Sequence, residues 1–375
     1  MLEQLIQEKH SVSDTDSTKP QLFEADAVSS QKALEEMLVK DKTIEVVDHY
    51  EDMLRELFTL DHPQLKANKV KLQQEFESWA QRQRDNKGGF TRSGIWAYYP
   101  WRQQLVHVVP EDAYYRLRTA RNHLLVNQDE QRILRDIRVG IIGLSVGQAS
   151  AMTLTISGVS KQLKLADPDI IEATNLNRIH AGIADIGLRK TVKVSRLITE
   201  LDPFANPELF SEAITEGNID NFLLGDNKLD IVIDAFDDVR MKTQLRKVAR
   251  KQRIPVIMAT DVADGAVIEI DRYDLNPDMK MFGGRIDERE LDNLPTEADI
   301  KDMAQIAMKM IGVQNPPERM MASIRTLGTE IAGYPQLALA SFLGGALTTY
   351  VIKQIALGND TLPPRVEVSL SDLFH

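Results

Sequence analysis

The feature of this sequence that most constrains its fold is a regular alternation of short apolar runs and helix-like segments after Asp136. The runs have the length of buried strands, and the segments between them carry apolar residues at helical spacing. The predicted strands are 137–144, 162–167, 229–235 and 255–260, and the predicted helices are 146–157, 187–201 and 239–252. Apolar strands bounded by helices predict a Rossmann-like α/β fold with a mostly parallel sheet covered by helices on both faces.

The rest of the 375-residue chain predicts two flanking parts around this core, which we place at about 137–270. Residues 1–130 are predicted to be mainly helical, with helices over 31–60 and 63–84, a polar linker at 11–20 and a short aromatic-rich β segment at 95–109. Residues 131–375 form the second domain, which continues into C-terminal helices over about 296–357 and an edge strand at 366–370. The aromatic residues Trp96, Tyr98 and Trp101 fit a local core or hairpin better than a stacking platform.

Composition excludes several classes of protein. The chain has no cysteine, which removes disulfides, Cys-rich zinc sites and any thiol nucleophile or thioester carrier. A net charge of −11 argues against broad nucleic-acid or anionic-membrane binding. The seven histidines lack metal-site spacing, so we predict no protein-only transition-metal centre. Because no apolar stretch is long enough to span a bilayer, we expect a soluble, cytoplasmic protein.

The turn after the first predicted strand reads GLSVGQ, with Gly143, Ser145 and Gly147 as candidate nucleotide-binding residues. Glycines at such a turn let backbone N–H groups and a helix N-terminus approach a phosphate. Ser145 and Gln148 occupy the second and third glycine positions of the usual dinucleotide-binding pattern, so the motif alone is a weak signal.

The second predicted strand ends at Asp167 and Asp169, where Rossmann-type folds place an acid on a ribose hydroxyl. This arrangement fits NAD and ATP equally well. Each aspartate could instead cap a turn around Pro168.

Four donor residues follow the two aspartates. They are Asn175, Asn177, Arg178 and Lys190, the last at the start of a predicted helix. Two amides, a guanidinium and an ammonium supply the donors and charge that a triphosphate needs, whereas a dinucleotide needs far less. The ordinary alternatives are asparagines in a turn, Arg178 in a surface ion pair and Lys190 on a solvated helix face.

The strand predicted at 229–235 is followed by acidic residues past its carboxyl end, in the sequence DIVIDAFDD. A carboxylate there can hold Mg²⁺ against a phosphate, because magnesium prefers oxygen ligands and keeps substrate phosphates in its shell. We select Asp237 as the metal ligand. Asp234 is assigned to capping the strand end or to orienting the metal's water shell.

Taken in order, the glycine turn, LADPD, NLNR, DIGLRK and DIVIDAFDD resemble the ThiF/MoeB/ubiquitin-activating-enzyme superfamily, whose members activate carboxylates with ATP. The resemblance covers about residues 137–270. Its most specific part is NLNR followed by DIGLRK. The regions before and after the core look like a bacterial ThiF-type subgroup with an added N-terminal region.

The resemblance implies a role for each matching residue. Asp169 would bind the ATP ribose, Asn175 and Arg178 the phosphates, Lys190 the β and γ phosphates, and Asp237 the catalytic Mg²⁺. Arg178, Lys190 and Asp237 are therefore the predicted catalytic set, with ATP and Mg²⁺ as cofactors.

The implied activity is an adenylyltransferase that converts a carboxylate, such as a protein or peptide C-terminus, to an acyl-adenylate. The resemblance also implies a homodimer. Without cysteine the chain cannot itself hold an acyl thioester. Three alternatives stay open: an ATP-dependent enzyme resembling tRNA threonylcarbamoyladenosine dehydratase, an NAD-linked oxidoreductase, and a non-catalytic partner subunit.

Overall fold

The computed structural model describes residues 17–292, 300–313 and 316–374, without the side chains of Lys87 and residues 300–304. The predicted linker at 11–20 therefore lies mostly outside the described residues, as does the predicted start of the C-terminal helices at 296. The chain divides into two compact units. One takes the described residues up to Gln128 together with Thr199–Phe204, and the other takes Asp129–Ile198 and the described residues from Ala205 onward.

The N-terminal unit contains a four-stranded sheet and helices. The strands are β1 (Gln21–Glu24), β2 (Glu45–Asp48), β3 (Ile95–Tyr99) and β4 (Gln104–Val108), and the helices are α1 (Val28–Lys40), α2 (Tyr50–Asp61), α3 (Lys69–Lys87) and α4 (Glu111–Thr119). The strand order is β1-β3-β4-β2. Strand β3 is antiparallel to both of its neighbours, and β2 is parallel to β4.

The prediction of a continuous helix over 31–60 was wrong in its middle, where β2 forms. This strand carries Val46 and Val47, and β-branched residues favour strands over helices. Its pairing with β4, almost sixty residues later in sequence, is a tertiary contact that local spacing does not reveal. Strand β1 was missed in the same way, since it pairs with the distant β3.

The prediction of a local core around the aromatic segment is confirmed for Trp96 and Tyr98, whereas Trp101 is only partly buried. Strands β3 and β4 form a hairpin around the turn Pro100–Arg102. Trp96 and Tyr98 are buried and pack with Leu34 and Leu105. These two aromatic side chains therefore stabilise the unit by removing apolar area from water.

The second unit contains a seven-stranded sheet. Its strands are β5 (Arg138–Ile142), β6 (Gln162–Ala166), β7 (Glu208–Phe210), β8 (Ile231–Asp234), β9 (Val256–Val262), β10 (Gly265–Asp271) and β11 (Arg365–Val368). Their order is β11-β10-β9-β8-β5-β6-β7. The strands β7, β6, β5, β8 and β9 are parallel to one another, whereas β10 is antiparallel to β9 and β11 is antiparallel to β10.

Helices connect and flank this sheet. They are α5 (Gln128–Asp136), α6 (Gly147–Ile156), α7 (Lys190–Leu201), α8 (Ile219–Leu224), α9 (Val239–Gln252), α10 (Glu288–Asp292), α11 (Ile300–Ile311), α12 (Glu318–Thr326) and α13 (Ala338–Ala356). The predicted Rossmann-like α/β fold with a mostly parallel sheet is confirmed. The predicted strands and helices between 137 and 260 all form, and the predicted edge strand at 366–370 is β11.

The C-terminal helices are more interrupted than predicted. A break follows Gly312, whose φ is +64°, and a second segment without helix runs over 327–337. Two prolines, Pro316 and Pro317, precede α12 and cannot continue a helix. Helix α13 then packs on α6 and on strands β9 and β10. In the described part of the chain, no helix is both long and apolar enough to cross a membrane.

A buried ion-pair network fixes the loop after β8 to the rest of the sheet. Arg246 is fully buried and donates to Asp234 at 2.6 Å and to Asp271 at 2.8 Å. Asp234 also accepts from Lys242 at 2.5 Å. Burial opposes ionisation of Asp234, but Lys242 and Arg246 outweigh it and lower its pKa. Asp234 is therefore a structural ion-pair partner, and the assignment to a strand cap or a metal's water shell was wrong.

Replacing Arg246 with methionine should strongly destabilise the second unit. The substitution leaves Asp234 and Asp271 buried without their shared counter-charge, and an uncompensated buried charge costs about 3 to 5 kcal/mol. The measurement is the free energy of unfolding from urea denaturation monitored by circular dichroism.

The matched control is Lys247→Met on the same helix. Lys247 pairs with Asp292 at 2.6 Å, but both side chains are well exposed. An exposed pair contributes about 1 kcal/mol or less. Equal losses in the two variants would show that the buried network adds nothing beyond an ordinary surface ion pair.

Candidate functional site

A glycine turn at the carboxyl end of β5 begins the site. Gly143 has φ +89°, and a Cβ atom there would lie 2.2 Å from the carbonyl oxygen of Ala235 beyond β8. Its N–H donates to Ala166 at the end of β6 at 2.8 Å. At Gly147, where α6 begins, a Cβ atom would lie 2.8 Å from Ile141. The backbone packing at Gly143 fits only glycine, and a side chain at Gly147 would press on the Ile141 side chain, so the turn and the N-terminus of α6 lie close together at the edge of the sheet.

The two residues that depart from the usual glycine pattern bind the loop that follows. The Ser145 hydroxyl accepts a hydrogen bond from Arg178 Nε at 2.9 Å. The Gln148 side chain accepts from the His180 N–H and donates to the His180 carbonyl at 3.4 Å. The side chains at these two positions therefore make contacts that glycines could not make. The Ser145 contact holds Arg178 beside the turn.

Asp167 ties the glycine turn to the end of β6. Its carboxylate is buried and accepts from the Leu144 N–H at 2.7 Å and from the Asp169 N–H at 2.8 Å. Burial raises the pKa of Asp167, and the nearby Lys190 ammonium opposes that shift. The buried Asp167 carboxylate therefore fixes the backbone of the glycine turn and of the segment after β6.

Asp169 and Lys190 form an ion pair at the same edge. Lys190 Nζ lies 2.8 Å from Asp169 Oδ2 and 3.7 Å from Asp167 Oδ1. The Asp169 side chain is 64% exposed, whereas Lys190, at the start of α7, is buried. A ligand can therefore reach the Asp169 carboxylate directly.

The NLNR segment is a compact loop whose side chains orient Arg178. Asn175 is buried, and its Oδ1 accepts from the Glu172 N–H at 3.1 Å. Asn177 Oδ1 accepts from Arg178 Nη1 at 2.9 Å, and Asn177 Nδ2 donates to the Gln336 carbonyl at 2.8 Å. Asn177 is thus engaged on both polar atoms and acts on Arg178.

Asp237 differs in its contacts from Asp234 and Asp238, the other two aspartates at the end of β8 and after it. Asp234 lies in the buried ion-pair network, and Asp238 caps α9 by accepting from the N–H groups of Arg240 and Met241. Asp237 is exposed, and it forms no hydrogen bond or ion pair with any residue that the structure describes. Its carboxylate is therefore available to a cation.

Electrostatic interactions bring Arg178 and Asp237 into one cluster. Burial lowers the pKa of Arg178, and the negative charges of Asp261 and Asp237 oppose that shift. Arg178 is bonded to the glycine turn through Ser145, and Lys190 faces Asp167, which is bonded to the same turn. These contacts link Arg178, Asp167 and Lys190 to the turn at Gly143–Gly147, and Asp237 is related to this group through its charge on Arg178.

Asp261, at the end of β9, was not selected from the sequence. It is buried, and its Oδ2 accepts from the Ser341 hydroxyl of α13 at 2.6 Å. Burial raises its pKa to about 6, although Ser341 and Arg178 act against that rise. A signal was present, because Asp261 directly follows the strand predicted at 255–260 and so marks the same sheet edge as Asp237.

The chain belongs to the ThiF family, which it matches over residues 119–358. It is 36% identical over 276 residues to the Uncharacterized protein MT1398 of Mycobacterium tuberculosis (strain CDC 1551 / Oshkosh), a match that covers 74% of this chain and 38% of that protein. It is 31% identical over 147 residues to the tRNA threonylcarbamoyladenosine dehydratase of Bacillus subtilis (strain 168), which covers 39% of this chain and 57% of that enzyme.

Among solved structures, the chain is similar to the selenomethionine form of PaaA. The sequence identity is 20%, the TM-score is 0.48, and the match covers 69% of this chain and 77% of that one. The chain spans less than two thirds of the length of each of these two curated relatives.

Replacing Gly143 with alanine should destabilise the second unit more than the same change at Gly187. Both glycines have a positive φ, +89° and +91°, so both substitutions carry backbone strain. Only at Gly143 would the new methyl group also meet a backbone carbonyl, whereas Gly187 has no atom within 4 Å of such a Cβ.

The measurement is the midpoint of thermal unfolding. Gly187→Ala should lose about 1 to 2 kcal/mol from strain alone, and Gly143→Ala should lose more. Indistinguishable midpoints would mean that the turn after β5 can move away from β8 at no cost.

Proposed function

We propose that this protein is an ATP- and Mg²⁺-dependent adenylyltransferase that activates a carboxylate as an acyl-adenylate. One observation carries the proposal. A cationic side chain, Arg178, is bonded to a glycine turn at the rim of a parallel sheet and lies within electrostatic reach of an exposed acid, Asp237. A triphosphate with its metal requires this combination of donors and an acid, and a dinucleotide does not.

The residues fit a nucleotide. The close packing at Gly143 holds the turn beside the N-terminus of α6, where anions bind. The exposed Asp169 carboxylate would accept the ribose hydroxyls. Lys190 would exchange its contact with Asp169 for the β and γ phosphates, and Asn175 Nδ2 would donate to a phosphate oxygen.

The Asp237 side chain also fits a magnesium ion. It is an exposed carboxylate beside a phosphate-binding cation, and a single carboxylate is enough where phosphates and water complete the shell. Bound Mg²⁺ would neutralise charge on the phosphates. The chain itself contributes the acid that holds the ion.

The reaction requires no nucleophile from this protein. An oxygen of the substrate carboxylate bonds to the α-phosphorus as the bond from that phosphorus to the bridging oxygen breaks, and pyrophosphate leaves with the electron pair. Arg178 and Lys190 offset the negative charge of the phosphates, and the glycine turn fixes their position. Catalysis of this kind rests on positioning and charge stabilisation.

The acyl group must then pass to a nucleophile from outside this chain, since the sequence has no cysteine. We propose a protein or peptide C-terminus as the carboxylate, a homodimer as the assembly and the cytoplasm as the location. Family membership supports these three proposals.

A second candidate function is an ATP-dependent dehydratase acting on modified tRNA. The similarity to the B. subtilis tRNA threonylcarbamoyladenosine dehydratase favours it. The net charge of −11 disfavours a polyanionic partner. Salt-sensitive binding of tRNA in a filter assay would make this the leading function.

ATP with Mg²⁺ should raise the melting temperature by a few degrees, because a ligand at about 100 times its Kd adds about 2.7 kcal/mol of stability. NAD at the same concentration should leave it unchanged. The measurement is differential scanning fluorimetry with each nucleotide. A shift with NAD and none with ATP would replace the proposal with a dinucleotide-dependent enzyme.

Asp237→Ala should abolish carboxylate-dependent exchange of labelled pyrophosphate into ATP, since the variant loses the proposed metal ligand. Exchange should fall at least about a hundredfold, which corresponds to about 2.7 kcal/mol of transition-state stabilisation. Candidate C-terminal peptides supply the carboxylate.

The matched control is Asp238→Asn. It removes the neighbouring negative charge and keeps a side chain that caps α9. Exchange should survive in this variant. An active Asp237→Ala protein, or equal loss in both variants, would refute the assignment of the metal to Asp237.

A further inference from the structure

Asp261 has a buried carboxylate that is only half satisfied. Its Oδ2 accepts from Ser341 at 2.6 Å, whereas Oδ1 is buried without a hydrogen-bond partner among the described residues. The residue is 5% exposed. A buried carboxylate oxygen without a donor is costly, so a compensating interaction is expected nearby.

The compensating charge is Arg178. Each of the two residues favours the charged form of the other, while Asp237 adds a second negative charge to the cluster. Arg178 is not bonded to either acid at ion-pair distance in the described chain, and its Nε and Nη1 are bonded to Ser145 and Asn177. Asp261 therefore attracts the guanidinium from a distance.

The negative charge of Asp261 disfavours a direct contact with phosphate. The residue lies at the end of β9, which is parallel to β8 and is its neighbour on the side away from β5 and β6. A carboxylate repels phosphate oxygens, so proximity to a triphosphate alone would weaken binding. If Asp261 strengthens nucleotide binding, it must therefore do so by acting on a positively charged group.

We propose that Asp261 is a positioning residue for Arg178, and that it acts on the bound nucleotide only through that guanidinium. The inference rests on the proposed nucleotide site. Asp261 attracts the Arg178 guanidinium electrostatically while Ser145 and Asn177 bond to its Nε and Nη1, and together these interactions restrain the side chain before the ligand arrives. Preorganised charge costs no rearrangement on binding.

The start of helix α13 contacts both Asp261 and the loop that carries Arg178. Ser341, in the first turn of α13, donates to Asp261, and the carbonyl of Gln336 just before that helix accepts from Asn177. Asp261 and Asn177, the two residues that act on Arg178 in this proposal, are therefore both bonded to residues at or just before the start of α13. A change in the start of α13 should reach the nucleotide site through these contacts.

The test is a double-mutant cycle on binding of Mg²⁺ with the non-hydrolysable analogue AMPCPP, measured by isothermal titration calorimetry. The four proteins are wild type, Asp261→Asn, Arg178→Gln and the double variant. We expect Asp261→Asn to weaken binding about tenfold in the presence of Arg178 and by less than about twofold in the Arg178→Gln background, a coupling of about 1 to 1.4 kcal/mol.

Two outcomes would overturn the proposal. If Asp261 contributes only its negative charge, Asp261→Asn tightens binding in both backgrounds because a repulsive charge is gone. If the change merely loosens the fold, binding weakens equally in both backgrounds and the melting temperature falls in parallel.

Ser341→Ala provides a second variant that leaves the charge of Asp261 in place. It should weaken binding in the same direction by a few-fold and only while Arg178 is present. Failure of wild type to bind AMPCPP would refute the proposed function and this inference together. Binding by wild type without coupling between Asp261 and Arg178 would refute this inference alone.

Discussion

The candidate site depends on one backbone contact, the approach of Gly143 to the carbonyl of Ala235. This contact brings the turn after β5 against the chain that leaves β8, so two neighbouring strands end at one place. Asp167 then fixes the turn to β6 through the Leu144 N–H. Three strand ends are thereby held together without any ligand, and the charged side chains are arranged on a frame of backbone hydrogen bonds.

The side chains around this frame divide into two kinds. Asp169 and Asp237 are exposed and can meet a ligand directly, whereas Asp167, Asn177 and Asp261 act on other residues. This division explains why the turn tolerates Ser145 in place of a glycine. The serine hydroxyl holds Arg178, a task that a second glycine could not perform.

Much of the second unit could be predicted from the sequence, because buried parallel strands and amphipathic helices leave local patterns. Strand β2 could not, since its pairing with β4 depends on residues far away in sequence. The same limit applied at the site. The glycine turn and the charged loop leave motifs, but the partners of Asp234 and Asp261 come from α9 and α13, and motif spacing carries no record of such contacts.

The ion pairs of Asp234 have a consequence for the acid three residues later. Asp234 is immobilised by Lys242 and Arg246, and Asp238 is immobilised as the cap of α9. Asp237 therefore lies in a short segment of chain whose two ends, Asp234 and Asp238, are both fixed. Such a segment has little configurational freedom to lose, so a cation bound at the proposed ligand Asp237 would cost little backbone entropy.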